Sequence, residues 1–147
     1  MSLKSRAVRA GNAGFTLIEL MVAVAVMAIL TAIALPNYSE YMLRSARADA
    51  RATMMEASQF MQRFYAMNNA YDRTRTGAAV ALPPALTQSP RDGAARYMIQ
   101  VVGLTPDSYS IRATPVGASA TDRCGWLALQ STGRRKSQNL TVDECWR

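Results

Sequence analysis

Gly14-Phe15-Thr16-Leu17-Ile18-Glu19-Leu20-Met21-Val22-Ala23-Val24-Ala25-Val26-Met27-Ala28-Ile29-Leu30-Thr31-Ala32-Ile33-Ala34-Leu35 is apolar apart from two threonines and one carboxylate, Glu19. From Phe15 to Leu35 is 21 residues. As a helix they rise ~31 Å, enough to cross a bilayer. A carboxylate at the membrane centre costs on the order of 2.5–3.5 kcal/mol and is read by default as functional. Glu19 lies near one end, where snorkelling lowers that cost. Lys4, Arg6 and Arg9 precede the run and Pro36 follows it. The positive flank stays in the cytoplasm, which puts residues from Pro36 onward on the other side.

Two plainer readings compete. Ala32-Ile33-Ala34 offers an Ala-x-Ala signal-peptide site, but the run is longer than the usual 7–15 residues and carries Glu19. A plain single-pass anchor explains length and orientation. It does not explain a carboxylate beside a Gly-Phe junction.

The 147 residues suggest one domain plus an anchor. The formal charge of +7 falls to +4 from Phe15 onward, because Lys4, Arg6 and Arg9 lie before it. Two cysteines suit an oxidising compartment, where a single disulfide persists. The chain has no histidine and its acids are scattered without metal-ligand spacing. No enzyme, cofactor or metal is expected.

No glycine occurs between Phe15 and Arg75, and Pro36 is the only proline there. The spacing predicts a helix running past Pro36 to about residue 67. Glu40, Arg44, Arg47 and Arg51 form one side. Tyr38, Tyr41, Met42, Ala48, Ala52 and Phe60 form the other, which is expected to cover a sheet. Residues 68–95 hold Asn68-Asn69, Gly77, Pro83-Pro84, Pro90 and Asp92-Gly93, and read as a loop. Strands are expected at 96–102, 108–114 and 125–130, with connecting turns at Pro106-Asp107 and from Pro115 to Ala120. Ser131-Thr132-Gly133 suggests a turn into a fourth edge strand.

Gly14-Phe15-Thr16-Leu17-Ile18-Glu19, the apolar run and Pro36 resemble the processing motif of type IV pilins and pseudopilins. Downstream, Pro36-Asn37-Tyr38, Arg44/Arg47/Arg51, Tyr97, Ala113-Thr114-Pro115, Cys124-Gly125 and Cys145-Trp146 resemble PilE-type minor pilins of type IVa systems. The resemblance implies a leader at 1–14, a membrane and filament-core helix at 15–35, and a periplasmic domain at 36–147. It implies an α+β fold: a long N-terminal helix packed on a small antiparallel sheet, with a C-terminal disulfide loop. It implies cleavage between Gly14 and Phe15 by a prepilin peptidase, N-methylation of Phe15, and assembly with other pilin subunits on an inner-membrane platform driven by an ATPase. The implied function is a structural pilus subunit of the minor kind, serving adhesion or twitching motility. The alternatives are a type II secretion pseudopilin and a DNA-binding competence pilin.

Glu19 has two compatible readings. Thr16-Leu17-Ile18-Glu19 fits a capping box, and the charge suits the helix N-terminus. In a filament, the carboxylate would pair with the Phe15 amine of a neighbour, in a low dielectric where either charge alone is costly. Pro36 cannot bond the Ala32 carbonyl and predicts a kink or weak point. Pilins often carry glycine where this chain has Ala28, and alanine resists local melting by ~1 kcal/mol more. Cys124 and Cys145 would close a loop of about twenty residues, worth roughly 3 kcal/mol, similar to the D-region of pilins. Arg134-Arg135-Lys136 lies inside that loop. Its bland reading is a solvated turn; its sharper one is contact with DNA or another anionic surface. Asn139-Leu140-Thr141 matches a glycosylation sequon too short to carry weight.

Overall fold

A computed structural model describes residues 15–147, with the side chains at 34–37 outside the described set. The chain divides into two units, one ending at Tyr38 and the other Ser39–Arg147. The first unit is the start of helix α1, Leu17–Asn68. Its residues Phe15 to Ile33 are exposed, and an 18-residue window reaches mean hydropathy 2.6. The helix assignment continues through Pro36. Proline therefore does not end α1. Its side chain, on which a kink would turn, lies outside the described residues, as does Gly14.

In the second unit α1 is free of glycine and proline, which accounts for its length. It closes at Asn69, whose φ is 58° and whose N–H donates to the Tyr65 carbonyl at 2.7 Å. Asparagine tolerates this left-handed position better than most residues. The helix buries Ala46, Ala50, Met54, Ala57 and Met61, a stripe at helical spacing. That stripe is not the expected one. Tyr41, Ala48 and Ala52 face out, and so does Tyr38 in the first unit, while Met42 and Phe60 are only partly covered. Arg47, expected on the polar side, is buried. The alanines decide the matter: with no side chain beyond Cβ they let helix and sheet backbones approach closely.

The sheet is an antiparallel meander in chain order. It comprises β1 Gln88–Ser89, β2 Tyr97–Val102, β3 Ser110–Pro115, β4 Leu127–Gln130 and β5 Arg135–Ser137. Ile99 pairs with Ala113, Ile111 with Leu129, and Leu129 with Arg135. Tyr97, Ile99, Ile111, Ala113, Leu127 and Leu129 pack on the helix. Met98, Gln100, Arg112 and Lys136 alternate to the other face, as the period of two demands. Two features depart from expectation. Strand β1 lies within the expected loop, and Pro115 ends β3 rather than opening a turn. Pro115 occupies a terminal ladder position opposite Tyr97, where a missing N–H is tolerated.

Loop and helix end are joined by stacked aromatics. The Tyr71 ring lies 4.5 Å from Tyr65 and 4.8 Å from Tyr109 between centroids. The Tyr71 N–H donates to the Pro106 carbonyl at 2.9 Å. Its hydroxyl donates to Gln62 at 3.1 Å. Burial is the main reason its acidity falls below that of a free tyrosine.

Candidate functional site

At its start, α1 carries the reciprocal capping arrangement. Thr16 N–H and hydroxyl donate to Glu19 Oε2 at 3.4 and 3.5 Å, and Glu19 N–H donates to Thr16 Oγ1 at 3.3 Å. These contacts are long and exposed, so they hold the carboxylate weakly.

The second unit converges on Asp122, whose side chain is fully buried. Oδ1 accepts from Arg47 Nη1 and from the Cys124 N–H, each at 2.9 Å. Oδ2 accepts from the Tyr97 hydroxyl. Burial, then the bond to Asp122, pushes the Tyr97 hydroxyl far above its ordinary pKa. Arg47 Nη1 also lies 2.9 Å from Cys124 Sγ, and its Nη2 lies 3.5 Å from Glu40 Oε1. One charge pair thus ties α1, β2 and the segment before β4 together. A buried pair of this kind must have its remaining polar positions satisfied, and here both carboxylate oxygens are.

Cys124 and Cys145 form a disulfide. Cys145 ends a short helix, α2 Val142–Cys145, under a full capping box of Thr141 and Glu144. Bonds from the Thr141 side chain and N–H hold the Glu144 carboxyl below the usual range, with Arg123 and Arg147 adding to the effect. Thr141 of the sequon-like triplet is therefore engaged as a cap. Gly125 has φ 65°, and a Cβ there would lie 2.5 Å from Gln138 Oε1 and 2.8 Å from its Cβ. Glycine is required by both conformation and space.

Arg134, Arg135 and Lys136 are exposed, but they do not form one patch. Gly133 turns the chain, with its N–H donating to the Gln130 carbonyl at 2.8 Å, and Arg135 and Lys136 then occupy β5. Successive strand residues point to opposite faces. Arg135 lies over the Trp146 ring at 5.3 Å and lines a hollow with Arg51 on α1. Lys136 stands on the outer face, opposite Ala128, which itself lies opposite Arg112. Arg112 covers Trp126 at 4.8 Å. Arg51 is drawn below its ordinary pKa by burial, then by Arg47 and Arg135.

Two family models match along the chain. The prokaryotic N-terminal methylation motif covers residues 9–35. The family described as type IV minor pilin ComP, DNA uptake sequence receptor, covers residues 36–128. The chain belongs to this family. This pilin is 37% identical over 71 residues to a type IV major pilin protein, PilE1, of Neisseria gonorrhoeae, covering 48% of this chain and 43% of that protein. It is 38% identical over 60 residues to the type IV major pilin protein PilA of Myxococcus xanthus, covering 41% of this chain and 27% of that one. It spans less than half the length of these curated relatives. Its fold is shared with the crystal structure of the non-core minor pilin PilV of Neisseria meningitidis, at 18% identity and TM-score 0.54, over 71% of this chain and 94% of that one. The protein is a type IV pilin, and the long helix, antiparallel sheet and C-terminal disulfide accord with that family.

Sequence reasoning found the capping box and the disulfide, and it read as one run a basic triplet that β5 divides between two faces. It missed Asp122 and the burial of Arg47. The available signal was an acid two residues before a cysteine and an arginine next to the Ala46 stripe. Neither spacing is distinctive without the fold.

Proposed function

We propose that this pilin is cut between Gly14 and Phe15, N-methylated at Phe15, and held as a single-pass inner-membrane protein before entering a filament as a minor subunit. Its N-terminus is cytoplasmic and its 39–147 unit periplasmic. A prepilin peptidase and an assembly platform are its processing partners, and its role is non-enzymatic. In the filament Glu19 neutralises the Phe15 amine of a neighbouring subunit. The observation that carries this reading is the weak, exposed capping of Glu19 in an otherwise apolar surround. That carboxylate can leave its cap for a stronger partner.

Glu19→Gln separates the two roles. Glutamine also serves in a capping box, so a pure cap tolerates it. A charge-pairing role does not, because a buried cation is left unpaired at a cost of several kcal/mol. The variant is expected to be cleaved, inserted and folded, yet scarce in sheared filaments by mass spectrometry. Wild-type incorporation would sink the pairing mechanism.

A second reading is favoured by the family description and by the outer face of the sheet. Arg112 and Lys136 flank Ala128 across adjacent strands, and Arg134, two residues before Lys136, is exposed. This row is suited to the phosphates of DNA. Residues 134–136 lie beyond the matched stretch, so the variant carries the argument. Arg134→Gln with Lys136→Gln is expected to weaken duplex binding and to reduce the slope of log affinity against log salt by about 2. An unchanged slope excludes these residues from the contact.

A further inference from the structure

Arg134 and Lys136 stand on the outer face of the sheet, and Arg135 between them faces the other way. There Arg135 and Arg51 line a hollow of about 210 Å³ with Ala52, Met55 and Trp146. No carboxylate lines it. Among the described residues neither arginine forms a salt bridge. Arg51 Nη1 donates to the Arg147 carbonyl, which leaves most of its five N–H donors over. The Arg135 guanidinium lies on the Trp146 ring. The surplus is therefore two cations. Arg47, farther along α1, is not added to them, because Asp122 holds it at 2.9 Å. Burial weakens the protonated form of Arg51 first, and Arg47 and Arg135 follow. An anion between Arg51 and Arg135 relieves the repulsion between those two.

The hollow is preorganised. Trp146 is buried and its Nε1–H donates to the Lys136 carbonyl at 3.1 Å, so the ring that carries Arg135 is fixed to β5. Arg51 is tethered by the Arg147 carbonyl. Little side-chain freedom remains to be lost when an anion enters. Two guanidinium forks match the oxygens of a phosphate better than point charges do. What lies across β5 says which phosphate. Gln130 N–H donates to the Arg134 carbonyl at 2.9 Å, so the pairing of β4 with β5 reaches Arg134. Arg134 and Lys136 thus share the outer face with Arg112, and Arg135 takes the other. Successive residues rise only ~3.3 Å along the strand. A chain of phosphates that follows β5 meets cations on both of its sides. A small free anion or a single acidic side chain uses the hollow alone. All of these residues belong to the Ser39–Arg147 unit.

We propose that the Arg51–Arg135 hollow is a pocket for a backbone phosphate of DNA, so that DNA is held across the β5 edge and not by the outer face alone. The proposal rests on the DNA reading above and adds two contact residues to it, one of them on the long helix. Arg51 lies within the stretch matched by the minor-pilin family, residues 36–128, and Arg135 lies beyond it. The contact is with backbone oxygens, so it positions the duplex and carries no base preference.

The test uses the full chain in neutral detergent micelles and a short labelled duplex, with anisotropy read over a series of salt concentrations. Arg51→Gln with Arg135→Gln is expected to weaken binding about tenfold, the loss of charge-assisted contacts to one phosphate. It is also expected to lower the slope of log affinity against log salt by about 1. Arg135→Gln alone, at an exposed position, is expected to weaken binding by about threefold, which separates the pocket from a folding defect in the pair. Arg63→Gln with Arg75→Gln removes the same charge from exposed positions elsewhere and is expected to change affinity by less than about twofold. Unchanged affinity and slope in the Arg51 and Arg135 variants overturn the pocket, as does equal weakening by the control pair. Weakening by Arg134→Gln with Lys136→Gln, but not by the Arg51 and Arg135 variants, removes the pocket and leaves the DNA reading standing. A wild-type chain that binds no duplex overturns both. Polyglutamate that displaces the labelled duplex as well as unlabelled duplex does at equal charge means that the hollow takes any polyanion, and overturns its assignment to DNA.

Discussion

Asp122 is the residue on which the most depends. Its carboxylate is shared by Arg47, the Cys124 N–H and the Tyr97 hydroxyl, so removing either charge leaves the other buried without its partner. Arg47→Met and Asp122→Leu are each expected to cost about 3–5 kcal/mol in urea unfolding. The double variant is expected to cost well under the sum, because no charge remains stranded. What persists is the Tyr97 hydroxyl and the Cys124 N–H without an acceptor, about 1–3 kcal/mol each. Strictly additive single costs would mean that the pair is not coupled. Arg47 resists a conservative change for the same reason: its fork reaches Asp122, Cys124 Sγ and Glu40 together, and a lysine point charge cannot.

At the scale of elements, the face that α1 gives the sheet is open to a direct test. Ala50 is fully buried and Ala52, two residues on, is exposed. Ala50→Leu forces new atoms between helix and strands and is expected to cost about 1–3 kcal/mol. Ala52→Leu is expected to lie within about 0.5 kcal/mol of wild type. The reverse order in thermal unfolding would restore the face that Tyr41, Ala48 and Ala52 suggested from sequence. That misreading has a physical cause. Alanine is ambiguous in any hydrophobic pattern, and Arg47, which breaks the true stripe, is buried only because Asp122 meets it from far along the chain. Helix α1 itself was legible because nothing between Phe15 and Asn68 except Pro36 opposes it. Strands β2 and β3 were legible because Tyr97, Ile99 and Val101, and likewise Tyr109, Ile111 and Ala113, alternate with polar neighbours. β1 was not, since two residues between prolines carry no period. β5 is charged as edge strands commonly are, so its sequence resembles a turn until β4 is in place. The capping box of α1 was legible from four residues because it is local. The Asp122 hub was not, because Arg47 and Asp122 lie 75 positions apart and Tyr97 and Asp122 lie 25 apart.

At the scale of the molecule, the core draws every member from Ala46 to Trp146, so the Ser39–Arg147 unit is expected to fold by itself as a soluble protein. Its C-terminal part buries Cys145 and Trp146 but has short elements and long bonds: Asn139 N–H reaches the Cys124 carbonyl at 3.4 Å, Trp146 Nε1–H reaches the Lys136 carbonyl at 3.1 Å, and α2 is four residues long. What restrains it is the Cys124–Cys145 bond, with a sequence separation of 21. The chain-entropy estimate for such a loop is about 3 kcal/mol, which for a unit of this size is ~10–20 °C in melting temperature. Reduction, or Cys124→Ala with Cys145→Ala, is expected to produce that loss. It is also expected to raise amide exchange first between Arg123 and Trp146, while Tyr97, Ile99 and Ile111 in β2 and β3 stay protected until global unfolding. Coincident melting curves with and without reductant would show that the packing of Trp146 and the Arg47–Asp122 pair already fix the loop, and that the disulfide adds only chemical durability.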